Sequence, residues 1–323
     1  MTSILTLPED ESTWNDLDVM FATRSGGVRR NKLSAFSQIR QNGKIAMKLD
    51  EGDSIVGVSL CTSADDVLLS SALGRCTRFK VSDVRVLVSR DSTGVRGLRL
   101  PEGDTVISMA ILRAVDAAPA ERAAYLRHAN AMRAAASGEV EEEEAPPPVE
   151  EEGEGDEAEG PVSLSIERIA QLGAAEEFVL TVSSEGFGKR TSAYAYRRTR
   201  RGGLGMIAQD LSRRGGRLVA SFPVEDTDEI LLVTDQGQLI RVRVGQISIV
   251  GRRSQGVTIF RTAQEEHVVS VERLEGGVAP EEDPDDELGG EPGDELDPRP
   301  SSDSGPEPDA EPGPEPDAEA GED

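Results

Sequence analysis

The chain has 323 residues, 61 acidic against 35 basic, a formal net charge of -26, 3% aromatic residues, two cysteines and two histidines. No apolar run approaches the roughly 18 residues that a membrane-spanning helix needs, and Met1 to Leu7 lacks the basic start and long apolar stretch of a signal peptide. The composition therefore predicts a cytoplasmic chain with no membrane partner, and Cys61, Cys76, His128 and His267 show no metal-ligand spacing, so no metal site and no cofactor is expected.

The charge is unevenly placed. Residues 139–160 hold 12 acids and no Lys or Arg, and residues 275–323 hold 20 acids against Arg299 alone, which leaves 29 acidic and 34 basic residues for the remainder. Both tracts are rich in Glu, Asp, Pro and Gly and too poor in apolar side chains to offset the entropy of ordering, so they read as disordered. What folds is mildly basic.

In chain order, four segments share one grammar: LDVMFATRSGGVRRNKL (17–33), DDVLLSSALGRCTRFKV (65–81), EEFVLTVSSEGFGKRTSA (176–193) and DEILLVTDQGQLIRVRV (228–244). Each reads as an acidic start, an apolar strand, a turn closed by glycine and a second strand. With Gly26, Gly74, Gly186 and Gly237 as anchors, the fourth residue onward is Arg30, Arg78, Arg190 and Arg241. A second glycine opens a third strand in QNGKIAMKL, STGVRGLRL, RRGGLGMIA and SQGVTIFRT, and DSIVGVSL, DTVISMAI, RLVASFPV and HVVSVERL read as a fourth.

The anchors lie 48 residues apart in the first pair and 51 in the last, with about 60 inserted residues between the second and third units. Four short strands at a period near 50 predict an all-β, propeller-like array of four four-stranded repeats. The expected divisions are two repeats over 1–112, a helix plus acidic linker over 113–175, two repeats over 176–274 and an acidic tail over 275–323. Within the insertion, Pro119 to Ser137 reads as one Ala-rich helix with His128 exposed, and SIERIAQL as a helical turn or two.

Strand alternation predicts basic pairs on one face: Arg30 with Lys32, Arg78 with Lys80 and Arg241 with Arg243, with Phe79, Val81, Val242 and Val244 on the core side. In the third unit Ser192 breaks the pair, but Lys189, Arg190 and the loop Arg197, Arg198, Arg200 and Arg201 lie close, followed by Gly202, Gly203 and Gly205. Arg29, Arg252 and Arg253 complete the candidate surface. Solvent-facing strands often carry such charges only to keep edges unpaired. Positive charge in every copy instead suits a surface that tracks phosphates, with aromatics too few for single-strand stacking, so double-stranded DNA is the expected partner and no small-molecule substrate is. A protein-binding propeller would explain the architecture without the one-sided arginines, and an autonomous DNA-bending protein would explain both.

QNGKIAMKLDEGDSIVGV (41–58), TGVRGLRLPEGDTVIS (93–108) and ISIVGRRSQGVTIFRTAQEEHVV (247–269) carry a resemblance to the C-terminal DNA-wrapping domain of the bacterial DNA gyrase A subunit, over Thr2 to Leu274. The last of these favours that family over its paralogue, the topoisomerase IV A subunit. The resemblance implies a β-pinwheel that binds, bends and wraps duplex DNA without sequence preference and works with gyrase B and the rest of the gyrase A subunit in ATP-dependent negative supercoiling. It implies no catalytic residue in this chain. The family's box, Q-R-R-G-G-[KR]-G, has a partial counterpart in RRGGLG (200–205), with Thr199 for Gln and Leu204 for the basic residue. MTSILTLP resembles the last strand of a preceding unit, which implies a fragment of a longer protein.

Overall fold

The computed structural model describes residues 5–37, 45–88, 92–137, 162–213 and 216–276. The acidic tract 139–160 and residues 277–323 of the acidic tail lie outside the described residues. The first hairpin is β1 (Asp18–Thr23) with β2 (Gly27–Lys32), followed by β3 (Ile55–Cys61). The second repeat supplies β4 (Asp66–Ser71), β5 (Arg75–Lys80), β6 (Val95–Arg96) and β7 (Val106–Leu112). Helices α1 (Pro119–Ser137) and α2 (Ile166–Ala174) form the insertion. The third repeat gives β8 (Phe178–Ser183), β9 (Phe187–Ser192), β10 (Met206–Ile207) and β11 (Leu218–Val224). The fourth gives β12 (Glu229–Thr234), β13 (Leu239–Arg243), β14 (Val257–Thr258) and β15 (Val268–Leu274).

Four antiparallel sheets result, with strand orders β3-β1-β2-β6, β10-β5-β4-β7, β11-β8-β9-β14 and β13-β12-β15. The last three repeats each supply four strands, but the four do not share one sheet. The short third strand leaves its own repeat and completes the preceding sheet: β6 pairs with β2, β10 with β5 and β14 with β9. The described part of QNGKIAMKL, Ile45 onward, is not a strand. Residues 5–8 of MTSILTLP are likewise outside any strand.

The junction between repeats is the same three times over. Gly26, Gly74 and Gly186 close their hairpins at φ +91, +77 and +73, conformations that L side chains rarely adopt. The carbonyl of each then accepts two amides from the next repeat: Gly97 and Leu98 on Gly26, Ala208 and Gln209 on Gly74, Ile259 and Phe260 on Gly186. A glycine also opens each exchanged strand. At Gly205 (φ +73) a Cβ would stand 2.5 Å from the Cys76 carbonyl, and at Gly256 (φ +83) 2.6 Å from that of Gly188, so the close docking of the strand on its neighbour needs glycine.

Apolar residues pack between consecutive sheets, which buries both faces of the inner hairpins. Met20, Ala22 and Val28 meet Val67, Leu69, Phe79 and Leu98. Leu68 and Cys76 meet Val179, Tyr196 and Met206, and Leu180 and Val182 meet Ile230, Leu232 and Val244. At the N-terminal end Trp14, Val19, Phe21, Leu33 and Met47 form a cap over the first sheet. The insertion docks through Tyr125, Ala129 and Leu172 on Tyr194, with the two tyrosine rings edge to face at 5.5 Å. The helix expected at Pro119–Ser137 is present, His128 is exposed on it, and both cysteines are buried free thiols. Burial, with a smaller push from Asp18, raises the Cys61 pKa to about 12.

Candidate nucleic-acid interface

The recurrent arginines do not line a rim, and the expected outward face for them is corrected. Arg30, Arg78 and Arg190 are 6%, 2% and 5% exposed. Because each hairpin is sandwiched between neighbours, the face opposite the apolar one is interior as well, and a cation there needs partners. Arg30 bonds Asp18 (2.5 and 2.9 Å) and the carbonyls of Val81 and Val84 in the second repeat. Arg78 bonds Asp66 at 2.8 Å and the Ala193 carbonyl of the third repeat at 2.6 Å. Burial lowers the Arg78 pKa against the opposing pull of Asp66. Arg190 bonds the Ile247 and Gly245 carbonyls of the fourth repeat and pairs with Asp226. Phe178 stands where the acids of the first two repeats stand, so the acidic partner, Asp226, comes from the link between the third and fourth repeats instead, and Arg133 of α1 lies over the Phe178 ring.

The preceding side chains work the same way. Arg29 is fully buried, bonding Asn31 and both oxygens of Ser92, and Lys189 is fully buried with its Nζ donating to the Gly251, Arg252 and Ser254 carbonyls. These five cations join each repeat to the next and are withdrawn from a phosphate-tracking surface. Lys32 is half-exposed beside Asp18 at 3.2 Å, and Lys80 is exposed. Arg241 and Arg243, on the last sheet of the described residues, are 55% and 77% exposed on Glu229.

The remaining candidates come together elsewhere. The fourth strands β3, β7, β11 and β15 pack on one another in chain order, so the exchanged strands and the connections leading into them form the opposite, outer edge. Residues 81–99 hold four arginines and two aspartates, 193–210 four arginines and one aspartate, and 244–261 three arginines and no acid. The connections leading to β3, β7 and β15 are acidic by contrast, with Asp50, Glu51, Asp53, Glu102, Asp104, Glu265 and Glu266.

The outer connections interlock. Arg201 donates to the Asp83 and Arg96 carbonyls at 3.0 and 3.1 Å, and Gly202 and Gly203 exchange backbone bonds with Gly97 and Arg99. Arg252 donates to the Ala195 and Ile207 carbonyls on its other side. Arg198 adds a second guanidinium to Asp66, at 2.7 Å. Arg197 and Arg253 are half-buried and Arg200 is exposed on this edge. Gly205 serves strand docking, as described, so of the glycines expected to approach phosphate it faces another backbone instead.

Sequence reasoning missed Arg85, Arg96 and Arg99, all exposed on the 81–99 connection. The signal that could have found them is the near absence of acids from three equivalent connections. Tyr194 and Tyr196 are buried, with Tyr194 Oη donating to the Leu172 carbonyl at 2.9 Å and its pKa raised to about 12, chiefly by burial. Among the described residues no group of three or more His, Cys, Asp or Glu could hold a metal, and no helix is long and apolar enough to cross a membrane.

Residues 17–62, 65–113, 177–225 and 228–275 each match the family model described as DNA gyrase C-terminal domain, beta-propeller. The DNA gyrase A subunit of Granulibacter bethesdensis is 51% identical over 277 residues, covering 84% of this chain and 29% of that protein. The Rickettsia bellii DNA gyrase A subunit is 42% identical over 271 residues, covering 84% and 28%. The chain thus spans under a third of the length of these relatives. Among solved structures, the C-terminal domain of DNA topoisomerase IV superposes with a TM-score of 0.58 at 18% identity, over 81% of this chain and 62% of that one. A DNA gyrase A C-terminal domain gives 0.54 at 21%, over 80% and 66%, and both likenesses are of fold. The four matched stretches coincide with the four repeats that the glycine and arginine junctions join, and the chain belongs to the DNA gyrase C-terminal β-propeller domain family.

Proposed function

We propose that the chain binds duplex DNA along its outer edge, bends it around the array without sequence preference, and acts as the C-terminal part of a gyrase A subunit. In that role it serves ATP-dependent negative supercoiling in the cytoplasm, together with gyrase B and the remainder of the A subunit. The observation that carries the reading is the outer edge itself: three successive connections, equivalent from repeat to repeat, whose sequences hold eleven arginines against three acids. Only positive charge spaced along a curved edge gives a phosphate backbone one continuous path, and the scarcity of aromatics points away from unstacked single strands. The identity to gyrase A subunits favours gyrase over topoisomerase IV.

The test uses the full chain and a fluorescent duplex titrated at several salt concentrations. Changing Arg85, Arg96, Arg99, Arg200 and Arg253 to Gln removes charge without touching the buried clamps. The slope of log K against log salt is expected to fall by about 0.9 for each phosphate no longer neutralised, alike for duplexes of unrelated sequence. A control with Arg113 and Arg127 changed to Gln is expected to keep the slope. An unchanged slope in the five-fold variant overturns the reading.

A further inference from the structure

We infer that Leu204 enters the minor groove of a bound duplex and sets where along its length the duplex seats, favouring A·T over G·C pairs at that point. The inference rests on the outer-edge reading above: the arginines hold any duplex by charge, and Leu204 fixes its register.

A glycine docks each exchanged strand, and the residue before it is Thr93 in the second repeat, Leu204 in the third and Gln255 in the fourth. The residue two beyond that glycine is Arg96, Ile207 and Thr258 in the same order. Leu204 is 55% and Ile207 37% exposed, so of these three connections the third presents apolar side chains where the other two present polar ones. Single exposed leucines are ordinary on protein surfaces, and this one is set apart by its mounting. Arg75 donates from Nε to the Leu204 carbonyl at 2.9 Å and from Nη2 to the Gly205 carbonyl at 3.2 Å. The Gly202 amide donates to the Gly97 carbonyl at 2.6 Å, and the Gly203 carbonyl accepts the Arg99 amide at 2.9 Å. Ile207 lies opposite Arg75 across β10 and β5, so the two share a face. A loop already tied on both sides loses little further freedom when it binds.

The leucine stands among cations, with Arg200 and Arg201 exposed just before it and four arginines against one aspartate over 193–210. Such a setting draws the phosphate rows that border a groove. A duplex curved around the array turns its minor groove inward about every 10 base pairs. At about 6 Å wide that groove takes a loop tip carrying one side chain, whereas the major groove, about 12 Å wide, suits a helix or a two-stranded ribbon. Leucine brings neither donor nor acceptor, so it discriminates by shape. A·T pairs leave the groove floor clear, but a G·C pair puts the guanine 2-amino group there, where leucine crowds it and removes its water partner.

The test titrates the full chain with three fluorescent duplexes of one length, whose central segment of about 10 base pairs, one helical turn, is A·T, G·C or inosine·C, the last lacking the 2-amino group. The unaltered chain is expected to bind the A·T and inosine·C duplexes alike and the G·C duplex about fivefold more weakly, the lower end of the penalty for one unfavourable base pair. Leu204→Gln, which places the residue of the fourth repeat at this exposed position, is expected to bind all three alike with an unchanged salt slope, since no charge is removed. The five-arginine variant of the outer edge is expected to keep the fivefold ratio while its salt slope falls. A slope that stays unchanged there overturns the outer-edge reading, whereas a ratio absent from the unaltered chain overturns the role of Leu204. That role is also overturned by an inosine·C duplex that binds as weakly as the G·C one, or by a preference that survives Leu204→Gln.

Discussion

Arg78 and Arg241 hold the same place in the second and fourth repeats, each 12 residues beyond its acid, yet replacing them is expected to have opposite consequences. The Arg78 side chain is 2% exposed and its partner Asp66 is fully buried. Arg78→Ala leaves that carboxylate with only the Arg198 guanidinium, at 2.7 Å, and the Ala193 carbonyl with only the Tyr196 amide. Removing one member of a buried pair costs roughly 3–5 kcal/mol, and the retained Arg198 bond places this case toward the lower end. Arg241 is 55% exposed on Glu229, a setting in which an ion pair contributes roughly 0–1 kcal/mol. A fold of this size loses about 2–4 °C of melting midpoint per kcal/mol, so Arg78→Ala is expected to melt roughly 6–15 °C lower and Arg241→Ala less than about 4 °C lower. Far-ultraviolet circular dichroism of the full chain measures both. Duplex affinity at 10 °C, where Arg78→Ala remains folded, is expected to stay within about twofold of the unaltered chain. An Arg78→Ala protein that melts normally and loses DNA affinity would refute the clamp and restore the arginine to a DNA-facing rim.

Four further outcomes are expected. Gly237→Ala, in open space, should cost only the roughly 1–2 kcal/mol of a left-handed L residue, whereas Gly205→Ala, with its Cβ 2.5 Å from the Cys76 carbonyl, should cost clearly more in urea unfolding; equal costs would mean β10 can lift from β5. Cys61 keeps its proton in the folded chain up to about 12 but loses it from the ordinary thiol value of 9.0 upward when unfolded, so stability should fall as pH rises between those values, and Cys61→Ala should flatten the fall measured between about pH 9 and 10. Arg201→Gln releases the Asp83 and Arg96 carbonyls and should reduce energy transfer between the ends of a bound duplex more than it reduces affinity; equal losses would make Arg201 an ordinary phosphate ligand. Truncation after Gly277 removes residues 278–323 with 19 acids and should tighten duplex binding, most at low salt where screening is weakest, and identical affinities at two salt concentrations would refute competition by the tail.

The repeats, their anchoring glycines and the helix at 119–137 were legible because each depends on local chemistry: a turn with positive φ, a run of helix formers, an apolar strand. The direction of the arginines was not. Alternation along β5 correctly separates Arg78 from Phe79, but period two distinguishes two faces without saying that one meets solvent. In a stacked array both faces of an inner hairpin are covered, so the second face is interior and its arginine is a buried connector. The acid 12 residues earlier does not tell the cases apart: Asp18 and Asp66 accompany buried arginines, but Glu229 accompanies the exposed Arg241 and Phe178 stands there for the buried Arg190. The exchanged strands were hidden for a related reason: the glycine before β6, β10 and β14 marks close backbone approach, but a sequence cannot show which backbone is approached. Once that approach is seen to be made across repeats, the four arginines stop being four copies of one site. Three join one repeat to the next, the fourth is exposed on the last described sheet, and the charge available to a polyanion lies in the irregular connections, whose scarcity of acids is a property of composition that no strand periodicity reveals.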